Sequence, residues 1–274
     1  MLEYANSIIK QMEECIINTE NRRVTGELKV GVDLGTANIV ITVLDKDNKP
    51  LAGAMYPADV VRDGIVVEYL KSVEIVRRLK AEMEKQLGRE LLYAATAIPP
   101  GIIEGNIRVI KNVVESSGFI VTEVMDEPAA AALVLGNRNG AVVDIGGGTT
   151  GISIIEDGNV IYSGDEATGG RHLTLVTAGA LGMEYEEAEK YKVDKKNENM
   201  VVPLVRPVVE KMASIIAKHI SGYKVDIIYL VGGTCCLNGI EEIIEKYTGI
   251  RTIKPCNPLL ATPLGIAMSV KRGV

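Results

Sequence analysis

The sequence predicts an α/β fold of two lobes with a ligand cleft between them, and three observations predict it. The first is a strand–turn–strand stretch, Gly140-Ala-Val-Val-Asp144-Ile-Gly146-Gly147-Gly148-Thr149-Thr150-Gly151-Ile-Ser-Ile-Ile155. The second is its partial repeat about 110 residues earlier, Val30-Gly-Val-Asp33-Leu-Gly35-Thr36-Ala-Asn38, again between paired strands. The third is composition. A chain of 274 residues with no Trp and one Phe must build its core from aliphatic side chains, which suits buried strands flanked by helices. Asp33 matches Asp144, Gly35 matches Gly146, and a hydroxyl or amide residue follows each glycine. One such hairpin says little. Two in matched context point to a duplicated unit whose loops grip one ligand.

Phosphate is the chemistry these loops suit. Glycines 146–148 leave backbone N–H groups uncovered, and such a turn can wrap a phosphate as a concave nest. Thr149 and Thr150 add hydroxyls there, and Asp144 sits at the mouth, placed to hold a magnesium ion directly or through water. Gly146, Gly148 and Gly151 also fit the G-x-G-x-x-G fingerprint of dinucleotide sites. That fingerprint must open a helix, whereas the residues after Gly151 alternate and turn as a strand does. A P-loop is excluded because no Gly-Lys-Ser/Thr run occurs.

Along the chain, residues 1–17 carry apolar side chains at helical steps (Leu2, Ala5, Ile9, Met12, Ile16), followed by a polar linker to Gly26. This amphipathic helix either packs on its own protein or docks on a partner or shell. Strands are expected at 28–34 and 39–44. A turn at 58–67 carries Arg62, a candidate phosphate contact that could equally be an ordinary surface residue. Residues 71–87 form a charged helix stopped by Gly88, and 91–98 a buried strand closed by Pro99-Pro100. Helix 104–116, strand 120–125 and the alanine-rich helix 129–135 follow, with Gly136 as its stop. Pro128 marks the start of that last helix and leaves Glu127 just before it. A carboxylate there can either orient a water toward a terminal phosphate or simply complement the helix N-terminus.

After the central hairpin come a strand at 160–163, a backbone-exposing turn at Gly169-Gly170, and a helix over 173–180. The charged helix 184–192 places Glu186, Glu189 and Lys192 on steps that suit a ribose or a solvated face. A long amphipathic helix over 200–219 follows. Strand 225–231 ends in Gly232-Gly233-Thr234, a pair of glycines against which a base or phosphates can lie. Asn238 is a plausible N-cap for the helix that follows, and 258–270 reads as a terminal helix returning to the first lobe. The division is 1–27 for the helix and linker, 28–138 for the first lobe completed by 256–274, and 139–255 for the second.

Several functional classes drop out. The net charge is −6 with no basic block, against a nucleic-acid partner. No apolar run approaches the roughly 20 residues of a membrane span, and the N-terminus lacks the basic start of a signal peptide. The four cysteines have no zinc spacing and suit reduced thiols in the cytoplasm, and two histidines are too few for a histidine metal site.

Taken together these segments resemble the actin/DnaK-type ATPase superfamily over about residues 28–270. Residues 30–38 look like its first phosphate loop, 127–133 its first connecting helix and 144–150 its second phosphate loop. Leu230-Val-Gly-Gly-Thr234 looks like the adenosine loop and 261–267 the second connecting helix, all in the family's order. The resemblance implies a two-lobed actin-like ATPase fold, with duplicated ribonuclease-H-like lobes and minimal outer subdomains. It implies ATP or ADP with Mg²⁺ as cofactors. Asp33 and Asp144 would organise hydrated magnesium, and Glu127 would orient the attacking water. Gly35, Thr36, Asn38 and Gly146–Thr149 would hold phosphates. Gly232 and Gly233 would flank the adenosine, and Gly169, Gly170, Glu186, Glu189, Lys192 and Thr234 would complete the nucleotide site.

Three further stretches, 58–66, 165–170 and Glu186-Glu-Ala-Glu-Lys-Tyr-Lys192, are similar to the EutJ family of ethanolamine-utilization proteins. That similarity implies a chaperone-like ATPase working in the cytoplasm with a protein partner of the ethanolamine pathway or a bacterial microcompartment shell. It leaves room for an oligomer. Two alternatives stand beside it: a nucleotide-dependent scaffold without turnover, and a small-molecule kinase of the same fold, for which no substrate loop is evident. No peptide-gripping domain follows the last helix, which weighs against direct client folding, and the small outer subdomains weigh against filaments.

Overall fold

A computed structural model describes residues 2–21, 23–62 and 64–271. Met1, Arg22 in the linker, Asp63 in the 58–67 turn, and residues 272–274 of the expected C-terminal completion of the first lobe lie outside it.

The first lobe runs through β1 (Leu28–Leu34), β2 (Asn38–Asp45), β3 (Pro50–Pro57), a small β4 (Val61–Arg62) and β5 (Ile65–Val66) ribbon, α1 (Tyr69–Leu87), β6 (Tyr93–Ile98), α2 (Glu104–Ser116) and β7 (Ile120–Asp126). Its sheet has the order β3-β2-β1-β6-β7. Strand β1 is antiparallel to β2 and parallel to β6, which is parallel to β7. After α3 (Glu127–Leu135) the same plan repeats. It runs through β8 (Gly140–Ile145), β9 (Thr150–Glu156), β10 (Asn159–Glu166), α4 (Gly170–Leu181), α5 (Tyr185–Val193), α6 (Glu198–Ile220), β11 (Ile227–Val231), α7 (Ile240–Thr248) and β12 (Arg251–Ile253). The second sheet, β10-β9-β8-β11-β12, matches the first strand for strand, with β9 antiparallel and β11 parallel to β8. Register makes the duplication concrete: Asp33 pairs with Val40 and Asp144 with Gly151, each one residue from the end of its strand.

The chain then returns through a 3-10 turn (Pro258–Leu260) into α8 (Ala261–Met268), which lies beside α3 and against β1 and β2. Thr42 donates to the Pro263 carbonyl (2.8 Å), tying α8 to the first sheet. At the crossing of α8 and α3 the backbones touch. A methyl group on Gly265 would overlap the Ala130 carbonyl, so only hydrogen fits. Small residues on both helices (Ala129–Ala132 and Gly265) permit this approach.

The N-terminal helix, Glu3–Ile17, is laid over the outside of this assembly. Its Ala5, Ile8, Ile9, Met12 and Cys15 are buried in one cluster with Leu44, Val134, Leu264 and Tyr229, which come from both lobes and both connecting helices. The apolar face read as a candidate docking surface is therefore consumed internally. Periodicity shows that a helix has an apolar face, but not what covers it.

Two local expectations are corrected. Asn238 does not cap α7; Gly239 does, with φ +79°, while the Asn238 amide donates to Glu198 (2.6 Å). Glu127 does not precede its helix but opens it, with Asp126 just before it and Pro128 second. Among the described residues no helix is long and apolar enough to cross a membrane.

Candidate functional site

The repeated hairpins bring their turns face to face. A methyl placed on Gly147 would lie 3.4 Å from Thr36 Cβ and 3.5 Å from Ala37 Cβ, so the two loops meet within van der Waals reach. Between them is a narrow cleft of about 90 Å³, lined by Asp33, Gly35, Thr36, Asn38, Glu127, Asp144 and residues 146–149. Gly232, Gly233, Leu259 and Thr262 complete its lining. Asp33 lies one residue from the end of one sheet's central strand, Asp144 likewise in the other, and Glu127 opens α3 between the lobes.

Three carboxylates in one cleft repel one another and lose water. Burial, with the Asp144 charge adding, pushes Asp33 up to about 7. Burial raises Asp144 to about 6, held back by the Thr262 hydroxyl, which donates to its Oδ2. Glu127 is pushed well above the ordinary carboxylate range, first by burial and then by Asp144, Asp33, Asp165 and Asp126. Asp33 and Glu127 keep partial exposure, consistent with carboxyls walled by protein and open only to the cleft. A site that stores this much like charge suits a cation. Among the described residues, however, no three acidic, histidine or cysteine side chains converge closely enough to ligate one metal directly. A hydrated ion held at a distance by carboxylates is what this donor set fits, and Mg²⁺ retains its waters in that way.

The second loop is held from behind. The Gly146 carbonyl accepts from Gly170 N (3.0 Å) and from the Thr234 hydroxyl (2.7 Å), and the Gly147 carbonyl accepts from Arg171 N (2.8 Å). With its carbonyls tied outward, the loop can turn N–H groups toward the cleft. Gly232 closes against it. Its φ is +90°, and a side chain there would strike Asp144 and come within 2.5 Å of the Ile145 carbonyl.

Not every expected residue lines the cleft. Gly169, Gly170 and Thr234 stand behind the second loop as its supports. Lys192 reaches the Gly170 carbonyl (3.2 Å), the Thr174 hydroxyl (2.8 Å) and Glu189 (2.7 Å), so Glu189 and Lys192 lock α5 to the start of α4. Glu186 is exposed on the same helix. Arg62 pairs with Asp59 (3.0 Å) at the surface. Thr262 is a site residue that motif reasoning missed. It lies 118 residues beyond Asp144, and its one signal was its place in the stretch taken as the second connecting helix.

Comparison with known proteins agrees with this geometry. The chain is 46% identical over 243 residues to the ethanolamine utilization protein EutJ of Escherichia coli, covering 88% of this chain and 86% of that one. The chain belongs to the EutJ family of ethanolamine utilization proteins. The crystal structure of EutJ from Carboxydothermus hydrogenoformans superposes with a TM-score of 0.91 at 45% identity, covering 96% and 97% of the two chains. A family model described as type IV pilus assembly protein PilM matches residues 113–263. The structure of MreB5 of Spiroplasma citri bound to ADP shares the fold alone, with a TM-score of 0.71 at 16% identity over 88% of this chain and 95% of that one. This chain thus has the two-lobed actin-like fold.

Proposed function

We propose that this protein binds ATP and ADP with Mg²⁺ between its lobes, hydrolyses ATP slowly, and passes lobe closure to a protein partner in ethanolamine utilization. The observation that carries the reading is the pair of facing loops with Asp33, Asp144 and Glu127 converging between them. Gly35, Thr36, Asn38 and residues 146–149 take the phosphates through backbone N–H groups and hydroxyls. Asp33 and Asp144 hold the ion through its waters. When bound, the ion neutralises phosphate charge and offsets the carboxylate repulsion. Glu127 accepts a hydrogen bond from the attacking water and orients it in line with the terminal phosphate. Gly232 and Gly233 give the adenosine a flat backbone wall, with Leu259 beside it. The MreB5 structure bound to ADP supports the choice of ligand class by fold.

The chaperone-like character, the shell or pathway partner and the cytoplasmic setting are part of the same proposal, with family membership as their support. Glu189 and Lys192 act on the site by holding α4, whose start backs the phosphate loop.

Titration calorimetry of ATP and ADP with Mg²⁺ on the wild type and Asp144→Ala tests the proposal. The expected result is binding by the wild type that is lost or weakened at least tenfold in the variant. A wild type that binds neither nucleotide removes the proposal.

A further inference from the structure

The N-terminal helix is bound to the back of the candidate adenosine site. Asn6 Oδ1 accepts from the Cys256 backbone N–H (2.8 Å), and Glu13 Oε1 accepts from Asn257 Nδ2 (2.7 Å). Asn257 is itself a junction, because its Oδ1 accepts from Leu259 N (3.2 Å) and caps the 3-10 turn. One residue on, the Pro258 carbonyl accepts from Gly232 N (3.0 Å). A methyl on Gly233 would lie 3.1 Å from Leu259 Cδ1. A continuous line of contacts thus leads from Asn6 and Glu13, through 256–259, to the glycine pair that walls the cleft.

The helix is anchored elsewhere. Met12 and Ile16 sit over Gly53 of β3, where an added methyl would come within 2.6 Å of Met12 Sδ. That strand is the edge of the first sheet, whereas Gly232 follows the second sheet's β11. One rigid helix therefore joins the outer edge of one lobe to the ligand wall of the other, without touching the cleft. Opening the lobes must either shear its apolar packing on β3 or pull on Cys256 and Asn257.

We propose that the N-terminal helix is a strap that sets the position of the Gly232–Gly233 loop, through Asn6 and Glu13, and so regulates the cleft's nucleotide affinity from outside it. A partner that lifts the helix would release ligand. The affinity part rests on the nucleotide reading above; the positional part does not.

The test compares the wild type, Asn6→Ala/Glu13→Ala, and Asn6→Asp/Glu13→Gln, which keeps both acceptors. Glu3→Ala/Lys10→Ala on the exposed face is the control. Two readouts are taken on the full chain: amide hydrogen exchange at Gly232 and Leu259, and Mg²⁺-ATP affinity. Losing two hydrogen bonds predicts exchange at both amides faster by about three- to tenfold and affinity weaker by a similar factor. The acceptor-keeping variant and the control should stay near wild type. Unchanged exchange at Gly232 in the double alanine variant overturns the strap. Faster exchange with unchanged affinity overturns the regulation. A wild type that binds no nucleotide overturns the regulation as well, with exchange still deciding the strap.

Discussion

Asp33, Glu127 and Asp144 are the residues at which function and stability conflict. Each is held where a carboxylate is costly, and each would be better replaced by an amide if folding were the only demand. That conflict gives a prediction at Glu127. Glu127→Gln keeps the shape and a hydrogen-bond acceptor, removes one charge from the cluster, and cannot take up a proton as a carboxylate does. ATP binding is expected to survive, while turnover, measured as phosphate release, falls by about 10²- to 10⁴-fold. Turnover equal to wild type would mean that Glu127 only complements its helix. The sequence made Asp33, Glu127 and Asp144 legible because each sits beside a glycine turn or a proline-started helix, which mark strand ends and helix starts. Thr262 was not legible. A threonine inside an apolar run has no local signature, and only folding brings it to Asp144.

At the scale of elements, strands and helices followed their periods closely, because β1, β8 and β11 are apolar runs closed by glycine turns. What periodicity missed was destination. The N-terminal helix shows the same stripe whether it covers its own protein or a partner, and its burial against both lobes depends on contacts more than 200 residues apart. Likewise the spacing of Glu189 and Lys192 fits a ribose contact, yet their side chains meet Thr174 and Gly170, a pairing set by the angle between α4 and α5. The crossing of α3 and α8 is the element on which the proposed lobe closure would turn, and Gly265 is its tightest point. Gly265→Ala forces the helices apart or bends one of them. Overpacking of this kind costs about 1–3 kcal/mol, which for a chain of this size lowers the thermal midpoint by roughly 2–10 °C. A midpoint equal to wild type would show that the crossing is looser than its geometry states.

The whole molecule is two sheets of one plan, closed over a pocket of negative charge, and its stability should record that charge as pH changes. The carboxyl of Asp33 is raised from 3.8 to about 7 and that of Asp144 from 3.8 to about 6, so between these limits the folded chain holds protons that the unfolded chain has released. Stability falls with rising pH wherever the folded state binds more protons. The contribution of these groups is fully present below about pH 4 and is lost as pH climbs through 6 and 7. Other titrations overlap it, so the difference between wild type and Asp33→Asn isolates it. Without nucleotide or Mg²⁺, the wild type is expected to lose stability relative to Asp33→Asn between pH 5 and pH 8, measured by urea unfolding. Mg²⁺ with nucleotide should reverse most of that loss at pH 8, because ligand bound only by the folded state adds stability by mass action and supplies the missing positive charge. A difference that stays flat from pH 5 to pH 8 would mean that the cleft is more hydrated than its walls imply. The cation would then have less repulsion to relieve, and closure would have to draw on the phosphate contacts alone.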